Sequence, residues 1–352
     1  MGTLFARFTR GTALGHIRHL TPVAPRSAPD RVAQVYRQVE RDFGMLAPPV
    51  ALHAPAPEAL AACWLLLRET LLAAGAATRA EKESVAVAVS RANSCPYCVQ
   101  VHHAALTGLL RPQPGGRRST SSAPTTLGAG TGTGTGTGTG AGVSAELTGV
   151  AVTFHYLNRM VNIFLADSPL PPVRGPARRV AGWVAEQTMG VLARPALPPG
   201  GALALLPAAP LPRDLGWAAG RANVAAAMAR AAAAVDAAGV RSVPPRVQRL
   251  VLSRLDRAGP PQGAGLLDWL EPALAALPVT ERPAGRLALL TAFASYRVTD
   301  RVVDDFRRAC PGDDTLVELT CWAAFTAARR TARQSAGQPA GQPTGTAPHP
   351  HR

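Results

Sequence analysis

Isoleucine is nearly absent from this chain, lysine occurs once, as Lys82, and Phe, Trp and Tyr together make up only 5%. A core short of isoleucine and aromatic bulk must be built from Ala, Leu and Val, and segments rich in Ala and Leu favour helix. The expected fold class is therefore all-α. The scarcity of lysine leaves arginine carrying nearly all the positive side of a net charge of +15 and a pI near 11.1. The arginines are scattered, in short clusters such as Arg117-Arg118, Arg178-Arg179 and Arg329-Arg330. No aromatic platform accompanies them, which argues against nucleic acid as a partner.

Long apolar runs are also missing. No uncharged stretch reaches the roughly 18 residues of a membrane span, and the Ala-rich run from Asn223 to Gly239 is broken by Arg230 and Asp236. The basic first twenty residues lack a continuous apolar segment, so no signal peptide is expected. The cysteines are Cys63, Cys95, Cys98, Cys310 and Cys321, an odd number that does not suit a secreted disulfide framework. These absences lead to the expectation of a cytoplasmic chain without a membrane partner. There a Cys-x-x-Cys pair is catalytic or metal-binding rather than structural.

What is present organises the 352 residues into about two domains or one duplicated unit. Residues 1–29 read as a flexible basic arm. Residues 30–170 read as a helical redox domain interrupted by a low-complexity loop over 111–142, whose Gly/Thr tract cannot bury a core. A Pro-rich connection over 171–213 follows, then a second helical domain over 214–334 and a disordered polar tail over 335–352. Asp30 is expected to cap a first helix that Gly44 ends. PEALAACWLLLRETLLAAG reads as one buried helix to Gly75. Thr78, with Glu81 three residues on, forms a capping-box signature for a helix running to about Ala92. Asn93-Ser94 breaks it, and Pro96 opens the next with Cys95 as N-cap. Later helices are expected near 179–192, 214–238, 244–257, 264–276, 280–296 and 314–333. TRAEKESVAVAVSRANSCPYCVQVHHAAL aligns without gaps on TERPAGRLALLTAFASYRVTDRVVDDFRR, which places Gly285, Arg297, Asp300 and Asp304 opposite Glu83, Cys95, Cys98 and His102. The second segment reads as a degenerate copy that keeps the helices and loses the chemistry.

Glu83, Cys95, Cys98 and His102 carry the most specific signal. At about 100° per residue, Cys95, Cys98 and His102 fall within roughly a 60° arc of one helix face. A cysteine at a helix start has its thiolate stabilised by free N–H groups, and an imidazole beside it can take the thiol proton. If the helices flanking Asn93-Ser94 fold back on each other, Glu83 and His102 are offset by roughly 4.5 Å along the axis. A carboxylate could then orient the imidazole, giving a relay from Glu83 to His102 to Cys98. His103 points away from this face. His155, on a later amphipathic helix, is a secondary candidate for the same pocket. Cys63, Cys310 and Cys321 lie on apolar helical stretches and read as core. The motif calls for no bound cofactor and no metal. Two alternatives stay open on the residues alone: a thiol–disulfide oxidoreductase without a peroxide step, and a non-enzymatic or zinc-stabilised helical protein in which Cys95, Cys98 and His102 supply three of four ligands.

The pattern Glu-x11-Cys-x2-Cys-x3-His resembles the AhpD-like, carboxymuconolactone decarboxylase superfamily, closely over residues 78–110 and more loosely over 30–165. The resemblance implies an all-helical, oligomeric protein assembled from identical chains. It implies an alkyl hydroperoxide reductase whose hydroperoxide substrate is reduced at the cysteine pair. An external dithiol then recycles the pair; in the family that is a lipoylated adaptor protein. It implies that Cys98 becomes the sulfenic acid, that Cys95 closes the disulfide, and that Glu83 and His102 relay protons. Tyr97 holds a place where the family motif often carries a second histidine.

Overall fold

The computed structural model describes residues 11, 13–111, 139–169, 176–257 and 268–337. Its helices in chain order are α1 (Asp30–Phe43), α2 (Pro48–Ala51), α3 (Pro57–Leu67), α4 (Arg79–Ala92), α5 (Pro96–Leu110), α6 (Thr139–Phe164), α7 (Pro176–Ala193), α8 (Ala222–Ser242), α9 (Pro245–Asp256), α10 (Leu270–Ala275), α11 (Arg282–Ala294), α12 (Asp300–Arg307) and α13 (Asp313–Gly337). Among the described residues there is no sheet, only the isolated bridges Ile17–Leu165 and Ala73–Leu197. The protein is all-α. No described helix is long and apolar enough to cross a membrane.

Helix α3 shows why. Every residue from Ala59 to Leu67 is buried, as an all-round apolar helix requires, and each fully buried leucine contributes roughly 1.5–3 kcal/mol. It packs on α8, α6 packs on α13, and α8 packs on α13, so four long helices form the centre of the molecule. Residues from both halves of the chain belong to one hydrophobic cluster, with Leu60 and Trp64 from α3, Phe154 from α6, Met228 from α8 and Phe325 from α13.

Two helical hairpins pack on this centre. α4 packs on α5 and α6, and α11 packs on α12 and α13 in the same way. α4 starts at Thr78, whose side chain accepts from the Glu81 N–H while Glu81 reaches back to the Thr78 N–H, the reciprocal cap its sequence predicts. Such a cap contributes about 1 kcal/mol. The α4–α5 turn needs Ser94 at a φ of 51°, in the left-handed region. α7 lies across α5, and their backbones touch at Gly108 and Gly190: a Cβ on Gly108 would stand 2.6 Å from Gly190 Cα.

Several local expectations are corrected. Pro29, not Asp30, is the N-cap of α1, and Asp30 is its first residue. The α3 helix does not run on to Gly75. It ends at Leu67 and turns through a π-helical segment, Arg68–Leu72, where buried Glu69 pairs with Arg68 at 2.7 Å and accepts the Gly200 N–H at 2.6 Å. Residues 214–238 divide into a 3₁₀ segment, Arg213–Gly220, and the helix α8. The described residues of the N-terminal arm do not hang loose. Ala13 and Leu20 are buried, Arg18 N–H bonds Phe164 O at 2.8 Å, and Thr21 N–H bonds Asp313 at 2.7 Å. The low-complexity stretch over 112–138, the end of the tail from 338 and the start of the 264–276 helix lie outside the described residues.

Candidate active site

The α4–α5 hairpin brings the four motif residues together. Glu83, fully buried, faces inward from α4. Its Oε2 accepts from His102 Nδ1 at 2.7 Å, and its Oε1 accepts from Arg79 Nε at 2.9 Å. Burial alone would raise the Glu83 pKa, but the facing His102 and Arg79 outweigh it and hold the carboxyl below its usual range. An ionised carboxylate can only accept, so Nδ1 of His102 carries the proton and Nε2 is left as the nitrogen free to exchange one. The edge of the imidazole packs on Phe154 of α6 with ring centroids 4.5 Å apart.

Cys95 is the N-cap of α5 and Pro96 its first residue. The Cys95 N–H bonds back to Ser90 O at 3.0 Å, which closes the turn and sets the first sulfur beside the second. Cys95 and Cys98 are both free thiols. Both are buried, at 1% and 3% exposure. That burial and the neighbouring Cys95 sulfur push the Cys98 thiol well above its ordinary pKa, with the nearby Asn158 carboxamide acting in the opposite sense. A resting Cys98 is therefore protonated and needs a base to be activated.

Cys98 and His102 line one cavity of about 310 Å³. Its other walls are apolar: Phe43 at the end of α1 and Met45 just beyond it, Leu67 of α3, Val101 of α5, Phe154 of α6 and Met189 of α7. His16 from the N-terminal segment and Tyr97 complete it, their rings 6.3 Å apart and edge-on. Cys95 does not line the cavity, so the two thiols differ in access.

The secondary candidates fall elsewhere. His103 is exposed. His155 is not a lining residue; it takes a hydrogen bond from Asn93 Nδ2 at 3.1 Å, and burial lowers its pKa to about 4. Cys63 and Cys321 are buried beneath α2 and beside Tyr156, and Cys310 is half-buried. Among the described residues no group of three or more His, Cys, Asp or Glu is disposed to hold a metal ion. Two neighbours of the motif escaped the sequence reading. Arg79 stands four residues before Glu83, a helical ion-pair spacing that could have identified it. Asn158 has no such signal, since it is placed only by the packing of α6 on α4.

The carboxymuconolactone decarboxylase family model matches residues 57–109, which run from α3 to the end of α5. A protein named alkyl hydroperoxide reductase Rv2159c, from Mycobacterium tuberculosis (strain ATCC 25618 / H37Rv), is 35% identical to this chain over 332 residues, covering 89% of this chain and 93% of that one. No solved structure gives a significant match.

Proposed function

Since this chain belongs to the carboxymuconolactone decarboxylase family, we propose that it is a thiol peroxidase that reduces organic hydroperoxides at Cys98, with Cys95 as the resolving thiol. The observation that carries this reading is the shared cavity. Cys98 and an imidazole held by a carboxylate open onto one apolar pocket, and the second thiol sits behind the first.

The steps follow from that arrangement. His102 Nε2 takes the Cys98 proton, and Glu83 stabilises the resulting imidazolium. The thiolate attacks the distal peroxide oxygen, the O–O bond breaks, and the alkoxide leaves with its electron pair. It takes the proton from His102 and departs as the alcohol. The sulfur has lost two electrons and is a sulfenic acid. Cys95 then attacks that sulfur, displacing hydroxide, which leaves as water with the Cys95 proton, and a disulfide forms. An external dithiol supplies two electrons and two protons to restore both thiols. A slender dithiol such as a lipoyl arm suits a pocket of this size, whereas direct exchange with a folded protein's disulfide needs sulfurs at the surface. The buried pair therefore weighs against the oxidoreductase alternative.

Mixing the reduced protein with cumene hydroperoxide in a stopped-flow instrument, then mapping the disulfide by mass spectrometry, tests the reading. One equivalent should give a Cys95–Cys98 disulfide, Cys98→Ser should abolish the reaction, and Cys95→Ser should leave a sulfenate that dimedone traps. A reaction no faster than that of free cysteine would end it.

A further inference from the structure

The N-terminal segment supplies one wall of the cavity and takes no part in the chemistry above. Ala13 and His16 both line that cavity, and Ala13 is buried. Ile17 bridges Leu165, and Arg18 N–H donates to Phe164 O at 2.8 Å, so the segment lies on the end of α6. Beyond that point it is fastened to the second half of the chain. Thr21 N–H donates to Asp313 Oδ2 at 2.7 Å, and Arg307 donates to both His19 O and Asp313 Oδ1. Arg307 ends α12 and Asp313 begins α13, and neither lines the cavity. His19 has a φ of 63°, a conformation that a residue other than glycine keeps only where its surroundings hold it.

The cavity has a direction. Cys98, Leu67 and Phe154 are at most 5% exposed and form its floor. His16, Met45 and Met189 are partly exposed and stand at its mouth. The chemistry gives a substrate the same direction. A thiolate attacks the distal oxygen in line with the O–O bond, so the alkoxy group and its organic body lie on the side away from the sulfur. With Cys98 on the floor, that body extends toward the mouth. A cavity of about 310 Å³ is at the small end of pockets that enclose an organic molecule. A ring-sized body therefore reaches the mouth walls, and hydrogen peroxide, which has no such body, does not. The His16 ring stands there edge-on to Tyr97, 6.3 Å between centroids. Among the described residues its nitrogens have no hydrogen-bond partner, so no described hydrogen bond of the fold uses them.

We propose that His16 is a specificity-determining residue: its ring contacts the apolar body of the hydroperoxide at the cavity mouth, and Arg307 and Asp313 are positioning residues that hold it there from the second half of the chain. The substrate class is a hydroperoxide with a ring-sized apolar body, selected over hydrogen peroxide because only the former gains contact at the mouth. The second half, whose hairpin lacks the cysteines, thereby completes the site of the first. The proposal rests on reading Cys98 as the thiol that attacks a hydroperoxide.

The test has two readouts on the full chain. The first is the ratio of the second-order rate constants for oxidation of the reduced protein by cumene hydroperoxide and by hydrogen peroxide, taken in a stopped-flow instrument. His16→Ala should lower that ratio about tenfold, the low end for one apolar contact in a pocket. His16→Phe, which keeps a ring at the mouth, should restore most of it, and Arg307→Ala and Asp313→Ala should lower it by less than His16→Ala does. The second readout is the protection of Cys98 from iodoacetamide by cumyl alcohol, the product of cumene hydroperoxide, followed by mass spectrometry. The half-protecting concentration should rise in the same order of variants. If His16→Ala fails to fold, the two anchoring variants read the same changes. An unchanged ratio with unchanged protection overturns the proposal, as does an equal fall in both rate constants or a wild type that cumyl alcohol does not protect. If neither hydroperoxide reacts, the peroxidase reading fails and protection alone decides: weaker protection in His16→Ala keeps the contact, and equal protection removes it.

Discussion

Glu83 and His102 stand nineteen residues apart in the chain and 2.7 Å apart in space. The hairpin turn at Asn93-Ser94 makes the difference, and Arg79 holds the second carboxylate oxygen so that the first keeps its aim. Replacing Glu83 by Gln keeps the shape and removes the charge that stabilises an imidazolium. kcat/KM for an organic hydroperoxide should fall about a hundredfold, the lower range of what general acid–base catalysis contributes. The melting temperature should fall too, because Arg79 loses its partner. Stopped-flow kinetics beside a thermal melt checks both.

The contact of α5 with α7 gives a second expectation. A Cβ on Gly108 would meet Glu186 O at 2.5 Å as well as Gly190 Cα, so Gly108→Ala must push the helices apart. That should cost about 1–3 kcal/mol in chemical denaturation. Because Met189 on α7 lines the cavity, KM for a bulky hydroperoxide should change more than the rate of Cys98 alkylation.

Lys82, the single lysine of the chain, is buried beside Glu146 at 3.2 Å, and Glu146 also binds Arg221 at 2.9 Å and the Ala76 and Ala77 N–H groups. Glu146→Gln leaves a buried ammonium without its counter-charge. The expected loss of stability is about 3–5 kcal/mol, typical of breaking a buried pair from one side. A urea titration with unchanged m-value and a lower midpoint is the predicted result.

His53 predicts an acid limb of stability. It donates Nδ1–H to Val50 O at 3.2 Å and accepts the Tyr156 O–H at Nε2 over 2.7 Å, and burial lowers its pKa from 6.5 to about 4. Between those values the unfolded chain binds a proton that the native state does not. Stability from this group is complete above pH 6.5 and is lost as pH falls toward 4, by about 3 kcal/mol in all. Glu83, whose carboxyl is held below its usual range, loses its contribution in the same direction at lower pH. His53→Gln should flatten the upper part of the limb in melts run from pH 7 to 4.

The sequence carried the helical class in its Ala and Leu content, and it carried the α4 cap, the break at Asn93-Ser94 and the start of α5 at Pro96 in local chemistry that needs no distant partner. Glu83, Cys95, Cys98 and His102 were legible because helical periodicity and one hairpin suffice to bring them together. The π-helical turn at Arg68–Leu72 was not legible, since its buried Glu69 is satisfied by Gly200 and Ala202 from far along the chain. The docking of the N-terminal segment depends likewise on Phe164 and Asp313.

By itself, then, the sequence determined which residues can do thiol chemistry and which local turn gathers them, because both depend on spacings of a few residues. Only the tertiary structure decided what surrounds them. α6 sets Asn158 and Phe154 against the motif, α7 and the N-terminal segment close the cavity over Cys98 while Cys95 stays behind it, and the second half anchors the N-terminal segment. Those contacts join residues with no periodic relation along the chain, and packing alone fixes them.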